Sequence, residues 1–122
     1  MMTETIRAFD GLEMECTNTT STTIWVSPEY WSVARDKNTA IIHIEVAKIS
    51  GTGTTVTLVC QDSSGRIFAD INLTGTYTMT AKGTIRYVLT NFAAHLKVGL
   101  TLSCSSGTGN ASVALEYTLM PF

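Results

Sequence analysis

An antiparallel two-sheet β-sandwich of jelly-roll-like form, all-β and with about eight strands, is the fold this sequence predicts. Three observations lead there. Apolar residues alternate with polar ones along most of the chain, as they do in strands that bury one face and show the other to water. Clusters of Gly, Ser, Thr and Asn interrupt these runs at short spacing, the positions where turns belong. Threonine fills 21 of the 122 positions; its branched Cβ suits a pleated surface while its hydroxyl faces solvent. Many short strands with little helical signal are the pattern of two packed antiparallel sheets.

The elements follow in order. Leu12, Met14 and Cys16 mark a short strand, and residues 22–26 another. Residues 1–10 lie ahead of the clear alternation and are expected to form an N-terminal arm or a further strand. Residues 28–34, with a turn or two, and residues 91–95, with a single turn, offer the only helical signal. Ile42, Ile44 and Val46 alternate with His43, Glu45 and Ala47; Val56, Leu58 and Cys60 follow the turn Ser50-Gly51-Thr52-Gly53. The two runs read as a hairpin. Asp62-Ser63-Ser64-Gly65 turns the chain into Ile67, Ala69, Ile71 and Leu73. Thr74-Gly75 turns it again, and Lys82-Gly83 precedes Ile85, Tyr87 and Leu89. Leu96, Val98, Leu100, Leu102 and Cys104 then face Ala111, Val113, Leu115, Tyr117 and Leu119 across Ser106-Gly107-Thr108-Gly109-Asn110, which reads as a second hairpin. Val98, Leu100, Leu102, Val113, Leu115 and Tyr117 are predicted core. The repeated Ser-Gly-Thr-Gly is read as shared turn chemistry rather than as two duplicated half-domains. Residues 1–122 form a single expected domain, with no linker or low-complexity tract.

Composition narrows the function. Apolar residues make up 44% of the chain and charged residues 15%, enough apolar content for a core and too little charge for disorder. The net charge of −2 lacks the basic footprint of a nucleic-acid binder. No apolar run approaches the roughly 20 residues of a membrane-spanning helix, and the first residues do not resemble a secretory signal. Neither nucleic acid nor membrane is expected as a partner, and synthesis in a cytoplasm is. Cys16, Cys60 and Cys104 are an odd set that falls in phase with the alternation, so buried, reduced thiols without a disulfide are expected.

Candidate chemistry is sparse. His43 and Glu45 share one face of a strand, but no nucleophile motif accompanies them, and His95 opens a strand after an irregular stretch; neither reads as a catalytic base. Asp62 with Gly65, and Asp70 with Asn72, fit turn chemistry better than the closely spaced oxygen ligands of calcium. No enzyme activity, metal or cofactor is therefore expected. The dense aromatic segment is 25–31. Trp25, Tyr30 and Trp31 there, together with Ile6, Phe9 and Phe122 on the two terminal segments, are the candidate interface residues, since aromatic rings anchor protein contacts. The same three aromatics of 25–31 would suit a carbohydrate-binding module, which is the alternative reading.

Residues 40–120 resemble a loose group of small virion proteins of tailed bacteriophages. The likeness is carried by Ile49-Ser50-Gly51-Thr52, Val56-Thr57-Leu58, Asp62-Ser63-Ser64-Gly65, Phe92-Ala93-Ala94-His95-Leu96-Lys97-Val98 and Ser106-Gly107-Thr108. Where such proteins often have Leu-Arg-Val, this chain has Leu96-Lys97-Val98. The resemblance implies a head-associated structural protein that decorates or cements a capsid. It would be located in the virion, form a homo-oligomer, and bind the major capsid protein or other virion proteins. It brings no catalytic residues.

Overall fold

The computed structural model describes residues 4–26, 31–32, 37–64, 67–92 and 95–121. They form two antiparallel sheets built from ten strands: β1 (Glu4–Thr17), β2 (Thr22–Trp25), β3 (Trp31–Ser32), β4 (Lys37–Thr52), β5 (Thr55–Ser64), β6 (Ile67–Asp70), β7 (Thr78–Met79), β8 (Gly83–Thr90), β9 (His95–Ser103) and β10 (Ser106–Pro121). One sheet runs β1-β10-β4-β8. The other runs β2-β9-β5-β6, with β3 on β9 and β7 on β5. The expected sandwich is present, and no helix occurs among the described residues. Of the two segments with helical signal, Trp31–Ser32 is a short strand on β9 and Asn91 turns the chain with a φ of 57°.

The alternation in the sequence becomes the core directly. Ile42, Ile44 and Val46 of β4 and Val113, Leu115 and Tyr117 of β10 point inward from one sheet. Val56 and Leu58 of β5 and Leu96, Val98, Leu100 and Leu102 of β9 meet them from the other, all at most 1% exposed. Every predicted core residue is there. The Tyr87 ring is buried as well, and its hydroxyl accepts a hydrogen bond from the Thr74 backbone N–H at 2.9 Å. A polar tip on a large apolar ring thus ties the segment after β6 to β8.

Both expected hairpins are corrected. β4 and β5 lie in different sheets, and so do β9 and β10. The chain crosses from one sheet to the other at residues 53–54 and 104–105, beside the Gly-rich stretches that end β4 and begin β10, and these two crossovers lie at one end of the sandwich. They also pack on each other. The Ser105 N–H and Oγ both donate to the Thr52 carbonyl, at 3.0 and 3.1 Å, and Ser106 is in register with Thr52. The repeated Ser-Gly-Thr-Gly therefore has a physical account: two similar crossovers nest at one end. Gly53 shows why glycine is required there. It has a φ of +65°, and a Cβ on it would collide with the Ser105 hydroxyl and come within 2.9 Å of the Ser105 Cβ.

The N-terminal segment is a strand along the part described. Residues 4–17 pair with β10 from Glu4↔Leu119 to Thr17↔Thr108, with register shifts on both sides of Phe9. Such bulges let an edge strand bend to follow the sheet.

Candidate interaction surfaces

The outer face of the six-stranded sheet is built from three cross-strand rows. In the first, Thr23, Thr101, Thr57 and Thr78 stand side by side on β2, β9, β5 and β7. The Thr23 and Thr101 hydroxyls are 2.8 Å apart and share a hydrogen bond. In the second row, Trp25 is opposite Gly99, which is opposite Val59. The Trp25 ring lies directly over Gly99, where a Cβ would stand 2.8 Å from it. In the third, Lys97, Gln61 and Asp70 lie in register. Here the Gln61 amide donates to the Asp70 carboxylate at 3.0 Å, and the Lys97 ammonium sits 4.2 Å from the centre of the Trp25 ring, a cation–π contact.

Residues 70–73 and Tyr77 rise beside these rows and close a groove of about 620 Å³ whose floor includes Thr23, Trp25, Thr57 and Val59. That volume lies within the usual range for ligand pockets. Its lining combines two aromatic rings, threonine hydroxyls, a carboxylate and an amide.

The outer face of the four-stranded sheet has a different character. Arg7, Glu116, His43 and Arg86 form one row across β1, β10, β4 and β8. Ala114, Glu45 and Thr84 form the next, and the two rows frame a shallow hollow of about 240 Å³. Beyond the charged row, Thr118, Ile41 and Val88 are in register. Val88 is 45% exposed, the one large apolar side chain among the described residues left so open. Charges of both signs beside an apolar spot are what a protein contact uses: the charges set orientation and the apolar group contributes burial. The Arg7–Asp10 ion pair at 3.9 Å is highly exposed and adds little stability.

Of the predicted site residues whose side chains are described, Trp25 and Phe9 lie apart. Trp25 floors the groove. Phe9 is 9% exposed and belongs to the core of its own domain, which corrects its assignment to an interface: the bulges in β1 turn its ring inward. Ile6 is in register with Tyr117 on β1, and Trp31 with Leu96 on β3; their side chains, with Tyr30 and Phe122, lie outside the described residues. His43 and Glu45 are exposed on the four-stranded face, as their phase requires, and His95 opens β9. Sequence reasoning missed Lys97, Gly99, Tyr77 and the threonine row, because only strand register brings them together. All three cysteines are free: Cys16 and Cys60 are buried and Cys104 is partly exposed. Among the described residues no cluster of three or more His, Cys, Asp or Glu could hold a metal ion.

No family model matches the sequence, and no curated protein does. Solved structures do match in fold. A VP2 subviral particle of infectious bursal disease virus superposes with a TM-score of 0.59 at 16% identity. The Gx strain of that virus gives 0.56 at 16% identity, and the Gt strain 0.55 at 14%. Each likeness covers 98% of this chain but only 32–33% of the viral chain, so the chain spans about a third of the length of the proteins it matches. Identity this low speaks to fold alone. The fold is a two-sheet β-sandwich of the kind found within a birnavirus capsid protein.

Proposed function

We propose that this chain is a non-enzymatic structural protein of a virus particle, working through protein–protein contacts with other virion subunits. The observation that carries the reading is the fold likeness to VP2 over 98% of the chain. The sequence resemblance of residues 40–120 to small tailed-bacteriophage proteins supports the specific form, decoration or cementing of a bacteriophage capsid by a homo-oligomer. The four-stranded face, with its row of Arg7, Glu116, His43 and Arg86 beside exposed Val88, is the surface best suited to such a contact. Quantitative mass spectrometry of purified particles tests this. The chain is expected in many copies per particle, and its absence from intact particles overturns the reading.

Carbohydrate binding is the second reading, favoured by the groove that holds Trp25 and Tyr77. Against it, the Trp25 ring already rests on Gly99 and meets the Lys97 ammonium, so a sugar would have to compete for its faces. A glycan array with wild type and Trp25→Ala decides between them. Binding that disappears in the variant would establish the second reading.

A further inference from the structure

Where the two crossovers nest, two cysteines from opposite sheets meet. Cys16 lies near the end of β1 in the four-stranded sheet, in register with Gly109 of β10. Cys104 follows β9 as the chain leaves the six-stranded sheet. A Cβ on Gly109 would stand 3.0 Å from the Cys16 Sγ and 3.1 Å from the Cys104 Cβ. The two side chains thus approach one small space from two sides, and that space exists because residue 109 has no side chain. The Cys104 thiol is close enough to help raise the Cys16 pKa, and the Cys104 Sγ donates to the Gly107 carbonyl at 3.6 Å. A bond between them would bring the two sulfurs to about 2.05 Å.

We infer that Cys16 and Cys104 are the site of an inter-sheet disulfide, formed in the folded chain by exchange with a low-molecular-weight disulfide. Exposure sets the order of steps. Cys104 is partly exposed, whereas Cys16 is 3% exposed. The Cys104 thiolate attacks one sulfur of the small disulfide, forming a mixed disulfide and releasing one small thiolate. Cys16 then loses its proton, attacks the Cys104 sulfur and expels the second small thiolate. Two protein thiols and one small disulfide become one protein disulfide and two small thiols; two electrons pass to the oxidant, and the two protons leave with the released thiolates. Burial, and then the neighbouring Cys104 thiol, raise the Cys16 pKa, so Cys16 stays a thiol until Cys104 carries the mixed disulfide.

Cys60 has no part in this. It stands opposite Val98 on β5, about 20 Å along β9 from Cys104 at the usual strand rise. The link would join β1 to the crossover between β9 and β10 and close a loop spanning most of the chain. A loop that long restricts the unfolded state strongly.

The full chain incubated without denaturant with oxidised glutathione tests the inference, in wild type and in Cys16→Ser, Cys104→Ser and Cys60→Ser. Wild type and Cys60→Ser are expected to lose two titratable thiols and ~2 Da of mass. Non-reducing peptide mapping should join Cys16 to Cys104. The melting temperature should rise by roughly 8–16 °C over the reduced form, and neither Cys16→Ser nor Cys104→Ser should show that rise. Cys16→Ser should instead retain glutathione on Cys104. Three persistent thiols, a link through Cys60, a stable wild-type glutathione adduct or a dimer bridged through Cys104 would each overturn it. Comparing oxidised with reduced wild type needs no substitution, so a variant that fails to fold leaves the test intact.

Discussion

Cys60 shows what the interior of this sandwich does to one side chain. It is 3% exposed in β5 among aliphatic neighbours, and burial pushes its thiol from an ordinary value of 9.0 up to about 12. The folded state therefore keeps the proton while the unfolded chain releases it above about pH 9. Below that pH the contribution to stability is fully present; as pH rises toward 12 it falls by about 1.4 kcal/mol per pH unit. Cys60→Ala is expected to remove this slope, so the stability gap between wild type and variant should shrink between about pH 9 and 11 in urea unfolding. A gap that stays constant would show that the thiol is not raised. Leu102, 0% exposed on β9, supplies the packing counterpart. Leu102→Ala should cost about 2–5 kcal/mol through lost burial and the cavity left behind. A loss below about 1 kcal/mol would mean that the site collapses around the change.

At the scale of elements, the crossovers explain both what the sequence discloses and what it conceals. Alternation assigned phase on the long strands: Ile42 with Ile44, Leu58 with Cys60 and Leu100 with Leu102 all point inward as read, whereas in the run 67–73 Ala69 is exposed and residues 71–73 leave the sheet after β6. It could not assign partners. Ile44 and Leu58 are buried whether β4 and β5 pair side by side or face each other across the core, so a glycine-rich break looks the same for a hairpin and a crossover. The candidate surfaces were hidden for the same reason, since Trp25 meets Lys97 and Arg7 meets Glu116 only once register is known. Two glycines test the nested arrangement. Gly107 has a φ of +67° with nothing within 4 Å of a Cβ, whereas Gly53, at +65°, faces Ser105. Gly107→Ala should cost about 1–2 kcal/mol for left-handed backbone alone. Gly53→Ala should cost at least about 1 kcal/mol more, because Ser105 must move as well. Equal losses in urea unfolding would show that the crossovers are not closely packed.

At the scale of the molecule, the sandwich is held by pairings between distant parts of the chain, and the N-terminal segment is the clearest case. Residues 4–9 pair with residues 115–119 of β10, and Phe9 inserts its ring into the core. If these residues were an arm reserved for a partner, removing them would leave the domain as stable as before. The structure predicts otherwise. Deleting residues 1–10 strips Phe9 from the core, a loss comparable to the 3–5 kcal/mol cost of a buried Phe→Ala change. It also uncovers the β10 backbone from Leu115 to Leu119, an unpaired edge that invites association with a second chain. The melting temperature should therefore drop by at least about 10 °C, with concentration-dependent self-association at neutral pH. Phe9→Ala separates the two contributions: it should lower the melting temperature through the core while leaving β1 paired, so self-association should stay at the wild-type level. A truncated chain that melts at the wild-type temperature yet no longer joins particles would assign residues 1–10 to a partner surface rather than to the fold.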